Sequence, residues 1–138
     1  LEAEVFAYES ESKQKVLQAL LNLFPFKDAV REELLKGAFG TKIVVFRGKV
    51  SKDKVKKFFS NLKKRLSKAA REEVISEVEE RVDERGNLFL RFDKQEAFLG
   101  RASLITGGDC ILVKIHSRAD RRRASEVLKQ TLEELLKG

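Results

Sequence analysis

The chain has 138 residues, the length of one domain rather than two, and its 42% hydrophobic and 37% charged composition is that of a folded, heavily solvated protein rather than a disordered one. Twenty-nine Lys and Arg against 22 Asp and Glu give a net charge of +7, which points to polyanionic partners, nucleic acid ahead of anionic membrane or acidic protein. One cysteine, Cys110, and one histidine, His116, exclude a four-ligand zinc site, a disulfide framework and a Cys-His nucleophile with a spare, so no cofactor is expected.

In chain order, Val5-Phe6-Ala7-Tyr8 reads as a β-branched and aromatic strand, with Ser10 and Ser12 available to cap the helix that follows. Val16, Leu17, Leu20, Leu21 and Phe24 form a helical stripe that stops at Pro25, the only proline. Residues 26–36 read as a short second helix with Val30, Leu34 and Leu35 apolar and Gly37 as its terminator. Ile43-Val44-Val45-Phe46 is a strand between Gly40 and Gly48. Ser51 is placed to cap a helix whose buried face is Val55, Phe58, Phe59, Leu62 and Leu66. Val74, Val78 and Val82 at four-residue spacing predict more helix over 70–81, with a hairpin arm as the alternative. Arg85-Gly86-Asn87 is a turn into a period-two strand that sends Leu88, Leu90 and Phe92 to one face and Phe89 and Arg91 to the other. A turn at Gly107-Gly108-Asp109 separates a strand over 98–105 from Cys110–His116 as a hairpin, and Cys110 reads as a small buried hydrophobe. The last helix starts near Asp120, with Val127, Leu128, Thr131, Leu132 and Leu135 on its buried side.

The expected architecture is a single α+β domain over 1–138, in the order β-α-α-β-α-β-β-β-α, with a mostly antiparallel sheet and helices packed on it. No apolar run approaches the roughly 18 residues of a membrane span, and Leu1-Glu2-Ala3-Glu4 lacks the basic and apolar regions of a signal peptide, so a cytoplasmic protein without a membrane partner is expected. The missing initial methionine points to a start upstream of Leu1. Charge is strongly blocked: residues 47–71 hold eleven basic residues against Asp53 alone, residues 72–84 hold seven acids against Arg81, and residues 85–123 hold nine basic residues against four acids.

No phosphate-cradling G-x-x-x-x-G-K-[ST] or G-x-G-x-x-G occurs. Gly37-Ala38-Phe39-Gly40 matches the G-x-x-G of a KH loop, but an aromatic occupies the loop and a strand follows it, so the plainer reading is a turn with Phe39 packed inward. Asp93, Glu96 and Asp109 are a magnesium trio that a chain with 22 acids produces by chance. His116 has no partner to orient it as a base and reads as an exposed strand residue or a polar contact. The basic residues are more informative. Arg118, Arg121, Arg122 and Arg123 gather at the start of the last helix, where the macrodipole disfavours cations unless an anion or acid such as Asp120 is close. Lys52, Lys56, Lys63 and Lys64 fall off the apolar face of their helix, either as a polyanion contact or as a solvated surface. Phe89 and Arg91 share a sheet face with Lys114 and His116, and Phe6 and Tyr8 fit the same face. Rings interleaved with cations on an open sheet are what single-stranded RNA binding uses.

The run Gly86-Asn87-Leu88-Phe89-Leu90-Arg91-Phe92-Asp93-Lys94-Gln95-Glu96-Ala97-Phe98-Leu99-Gly100 resembles an archaeal RNA-binding protein family labelled a predicted exosome subunit. Leu20-Leu21-Asn22-Leu23-Phe24-Pro25, Gly37-Ala38-Phe39-Gly40-Thr41 and Asp109-Cys110-Ile111-Leu112-Val113-Lys114-Ile115 agree in order, so the resemblance spans nearly the whole chain. It implies a fold similar to the large-subunit ribosomal protein that carries 5S rRNA, and RNA contact without a known reaction. Carried onto this chain it singles out Arg91 and Lys94 for phosphate, Gln95 for a base edge or 2′-hydroxyl, and Asp93 as an orienting or capping residue. Phe89 and Phe98 stand where the family commonly has an aromatic with a hydroxyl.

The expected function is therefore a non-catalytic RNA-binding protein in exosome-related RNA processing or ribosome-related work, with exosome or ribosomal components as further partners. The alternative is a protein-interaction module or homodimer that uses an exposed strand face.

Overall fold

The computed structural model describes residues 1–117 and 120–137. Alternation sets the first element: Ala3, Val5 and Ala7 are buried while Glu2, Glu4 and Phe6 face the other way along β1 (Glu2–Ala7). Ser12 caps α1 (Lys13–Leu23), its hydroxyl accepting from the Lys15 amide at 3.3 Å, and Val16, Ala19, Leu20 and Leu23 form the buried side.

The helix expected over 26–36 is a strand. Val30–Lys36 forms β2, paired antiparallel with β3 (Lys42–Lys49) from Val30↔Gly48 to Lys36↔Lys42. Both faces of β2 carry charge because it is an edge strand, so its apolar residues do not alternate, and the ladder to β3 overrides their helical spacing. Gly37 ends no helix. It opens the hairpin loop, in which the Gly37 amide donates to the Thr41 carbonyl at 2.6 Å and the Thr41 hydroxyl donates to the Ala38 carbonyl at 2.7 Å. Phe39, expected inside, is fully exposed.

The basic segment then forms α2 (Val55–Arg65), burying Phe58, Phe59 and Leu62. Ser51 precedes a 3-10 turn over Lys52–Lys54 and donates its hydroxyl to the Asp53 carboxylate instead of capping the helix. Helix over 70–81 is present as α3 (Lys68–Ser76), capped by Ser67, and the single turn α4 (Val78–Arg81). The expected strand over 98–105 is absent. Asp93 instead caps a short α5 (Lys94–Phe98), accepting from the Glu96 amide at 3.3 Å, and the following loop pairs with the sheet at the isolated Phe92↔Leu104 bridge. The hairpin partner of β5 (Ile111–His116) is β4 (Asn87–Phe92), over six residue pairs from Asn87↔His116 to Phe92↔Ile111. Asp120 caps the final helix α6 (Arg121–Leu136). Its buried side includes Ala124, Leu132 and Leu136, whereas Val127, expected to be buried, is exposed.

The class is α+β, with helices packed on a five-stranded antiparallel sheet of order β2-β3-β1-β5-β4. The inner residues Ala3, Val5, Ala7, Phe46, Leu88, Leu90, Phe92, Ile111, Val113 and Ile115 join the buried residues of all six helices in one core. The Phe24 ring lies directly over Gly48, where any Cβ would collide with it. Phe58 and Phe59 meet edge to face at 5.1 Å, an arrangement worth about 0.5–1.5 kcal/mol beyond burial. The outward-facing Phe6, Val45, Phe89 and Leu112 take no part in this core, which the helices build on the opposite side of the sheet. Among the described residues no helix is long and apolar enough to cross a membrane.

Candidate nucleic-acid interface

The β4–β5 register decides which side chains meet on the helix-free face. Phe89 lies directly opposite Lys114, and Arg91 lies opposite Leu112. The Lys114 ammonium and the Arg91 guanidinium each stand 6.0 Å from the centroid of the Phe89 ring, which therefore sits between two cations. Lys114 has only a loose pair with Glu2 at 3.8 Å, and among the described residues Arg91 has no carboxylate within ion-pair distance. Phe6 and Tyr8 of the same face stack at 6.5 Å; β1 lies two strands from β4 across β5, about 10 Å, and Phe6 stands four residues along it from Glu2, the residue in line with Lys114 and Phe89, about 13 Å further.

The end of this patch is pinned by a polar chain. His116 donates from Nδ1 to the Asn87 side-chain oxygen, Asn87 donates its side-chain amide to Asp83 at 3.0 Å, and the Asn87 backbone amide donates to the same carboxylate at 2.8 Å. The two Asn87 hydrogen bonds, the side-chain one foremost, hold the Asp83 carboxyl below the usual carboxylate range. Gly86, at φ 83°, supplies the left-handed step of the turn. His116 is thus a polar contact at the strand end, as its sequence context suggested.

The other end of the same face is electrically closed. Arg47 donates to Glu4 at 2.7 Å and to Glu33 at 2.8 Å, so the cation there is already shared between two carboxylates.

Lys94 corrects an expectation. It is buried, and its ammonium donates to the Phe6 carbonyl at 2.7 Å and to the carboxylates of Glu11 and Asp109 at 2.8 Å each. All three of its protons are committed, so it ties the β1–α1 corner to α5 and is not free to contact phosphate. Burial pushes Glu11 up, but the bond from Lys94, the Tyr8 amide and the ammonium charge together hold it below its ordinary value. Asp93 acts as a helix cap and does not orient Arg91, whereas Gln95 is exposed on α5 beside Phe98 and Leu99.

Of the lysine cluster, Lys63 lies far from the arginines. Lys63 donates to the Lys137 carbonyl at 2.9 Å, which places it at the C-terminal end of α6. Arg121, Arg122 and Arg123 are exposed at the N-terminal end of this 16-residue helix, about 24 Å away. Lys52, Lys56 and Lys64 are exposed with α2 on the helical layer, across the sheet from Phe89. The arginines are nearer the sheet patch: four residues of chain lie between His116 and Arg121, a reach of at most about 18 Å. Asp120 accepts from the Arg123 amide and supplies the negative charge that the start of this helix requires. Arg118 lies outside the described residues.

An acidic flank borders the patch. Glu77, Glu80, Arg81 and Asp83 line a hollow at the β4 edge together with Phe89 and Arg91, and Arg81 is already paired with Glu77 at 2.7 Å. The carboxylates of the chance magnesium trio have separate roles: Asp93 caps, Glu96 binds Arg101 at 2.6 Å, and Asp109 binds Lys94. Among the described residues no group of three His, Cys, Asp or Glu could hold a metal ion. Cys110 is half-buried, and burial raises its thiol pKa.

Comparison with known proteins shows the family. A family model described as RNA binding matches residues 1–117. The chain is 37% identical over 134 residues to an RNA-binding protein of Pyrococcus abyssi, covering 93% of this chain and 87% of that one. A DUF54 protein from Methanothermobacter thermautotrophicus superposes with a TM-score of 0.77 at 32% identity, over 96% of both chains. A protein of the same DUF54 family from Archaeoglobus fulgidus gives a TM-score of 0.77 at 33% identity, over 94% of this chain and 95% of that one. A UPF0201 protein from Methanococcus jannaschii, 19% identical with a TM-score of 0.60 over 99% of this chain and 92% of that one, shares the fold alone. Residues 1–117 contain the whole sheet and its Phe89 platform, and the chain belongs to the RNA-binding family.

Proposed function

We propose that this chain is a non-catalytic protein that binds single-stranded RNA across the helix-free face of its sheet. The observation that carries the reading is the Phe89 ring set between Arg91 and Lys114 on the face the helices leave open. A base stacks on an aromatic face while neighbouring cations hold its phosphates, and Phe6 and Tyr8 offer a second ring pair two strands away. Arg121, Arg122 and Arg123 extend the positive field from the β5 end, whereas Gln95, exposed beside α1, lies off this face. Membership of the RNA-binding family and the name of the Pyrococcus relative support the same ligand. The setting that follows from the resemblance is RNA processing of the exosome kind or ribosome-related work.

Titration of single-stranded RNA over a salt series tests the proposal. With about five phosphates contacted, log affinity falls against log salt with a slope near −3.5. A flat salt dependence, or no RNA retained at low salt, rules it out. The second reading, a homodimer or protein-interaction module, draws on the unpaired outer edge of β2 and its exposed Leu34. Light scattering that reports a concentration-independent monomer removes the homodimer.

A further inference from the structure

The β2–β3 hairpin tip lies outside the platform and carries an unusual residue. Phe39 is the only non-glycine residue with positive φ among the described residues, at 60°, and its side chain is fully exposed. A bulky side chain is disfavoured in this backbone region, and an apolar ring is disfavoured in water, so nothing within the fold rewards phenylalanine at this position.

The loop that presents the ring is held on both sides. The Gly37 amide donates to the Thr41 carbonyl at 2.6 Å, the Thr41 hydroxyl donates to the Ala38 carbonyl at 2.7 Å, and the Lys42 amide donates to the Glu9 carboxylate at 2.8 Å. Lys36 and Lys42 face each other across the pair that closes the loop, and both are exposed. Like charges directly opposite on two strands repel, and among the described residues neither lysine has a carboxylate within ion-pair distance of its ammonium. A ring with both faces bare therefore stands beside two mutually repelling cations that a polyanion would relieve.

We propose that Phe39, Lys36 and Lys42 form a second contact for single-stranded RNA, with Phe39 stacked on a nucleobase and the two lysines on the adjoining phosphates. This deepens the RNA-binding reading and rests on it. Four strand spacings, about 19 Å, separate β2 from β4, so the tip engages a different stretch of the strand from the one held at Phe89.

The chain contains no tryptophan, so Phe39→Trp installs a single indole reporter. Its emission is followed on adding oligouridylate RNA, inorganic polyphosphate, or vesicles rich in anionic lipid, with RNA binding measured independently by gel mobility. The expected result is quenching by RNA that saturates with the mobility shift, and none with polyphosphate. Phe39→Ala and Phe39→Gly each lower RNA affinity about 5- to 100-fold, and Phe39→Tyr restores it. Phe39→Gly is also the folding control, because glycine accepts the positive φ. Undiminished affinity in both variants with a silent indole overturns the proposal, as does a blue shift with vesicles and no response to RNA. If wild-type protein binds RNA and loses it on Phe89 substitution but not on Phe39 substitution, this inference falls alone. If wild type binds no RNA, the broader reading falls with it.

Discussion

Arg91 and Lys94 stand three residues apart, and each lies near an aromatic ring, yet the fold gives them opposite surroundings. Arg91 shares the Phe89 ring with Lys114 on an open sheet face and meets no carboxylate among the described residues. Lys94 lies 5.3 Å from the Tyr8 ring but is buried, with its protons given to Glu11, Asp109 and the Phe6 carbonyl. A cation near an aromatic is therefore available to a ligand only when no carboxylate from elsewhere in the chain has already claimed it. The two regions are expected to respond differently to substitution: the Lys94 corner in stability, the Phe89 platform in binding.

The sharpest way to break this contrast is Lys94→Met. Loss of a buried ammonium with three charge-assisted contacts is expected to cost about 2–4 kcal/mol in urea denaturation, while RNA affinity of the folded variant stays within about twofold of wild type. A strong affinity loss without destabilisation would return Lys94 to the binding surface. Phe89→Leu tests the opposite case, with most bulk retained and the stacking ring gone. RNA affinity should fall by about 1–3 kcal/mol, with the smaller change in stability. Arg91→Ala and Lys114→Ala should each flatten the salt slope by about 0.7, whereas Arg47→Ala, which removes a cation already shared by Glu4 and Glu33, should leave the slope nearly unchanged. The smallest effect is in pH. Glu11 has a depressed pKa in the folded protein, so its contribution to stability is present above its unfolded-state pKa and is lost as pH falls through the native value. The stability gap between wild type and Lys94→Met should accordingly narrow below about pH 4, and a gap that widened on acidification would contradict the ion-pair account.

Particular residues show where sequence sufficed and where it did not. Leu88, Leu90 and Phe92 against Phe89 and Arg91 were legible because a half-covered strand must alternate, and that alternation placed the platform residues on one face. The segment 30–36 misled because an edge strand with two wet faces has no such obligation, and its true partner is set by pairing with β3. The short helix α5 does leave a trace in the sequence: Asp93 with Glu96 three residues on is a helix-start pattern, and Asp93 accepts from the Glu96 amide. Lys94 could not be placed from its neighbours, since its carboxylates come from 83 residues before it and 15 after. An apolar Phe39 predicts an inward ring because apolar residues are usually buried; its exposure becomes visible only once the hairpin carries the loop away from the core.

The acidic flank formed by Glu77, Glu80 and Asp83 beside Phe89 gives the open face a direction. A negatively charged strand stacked on that ring is repelled at the β4 edge and attracted inward over Lys114, so the electrostatic gradient slopes across the sheet rather than off it. On the proposed RNA reading, the acids that lower the total charge act as a kerb: they narrow the routes by which a chain of phosphates can cross the protein, and make the path, as well as the affinity, a property of the charge pattern.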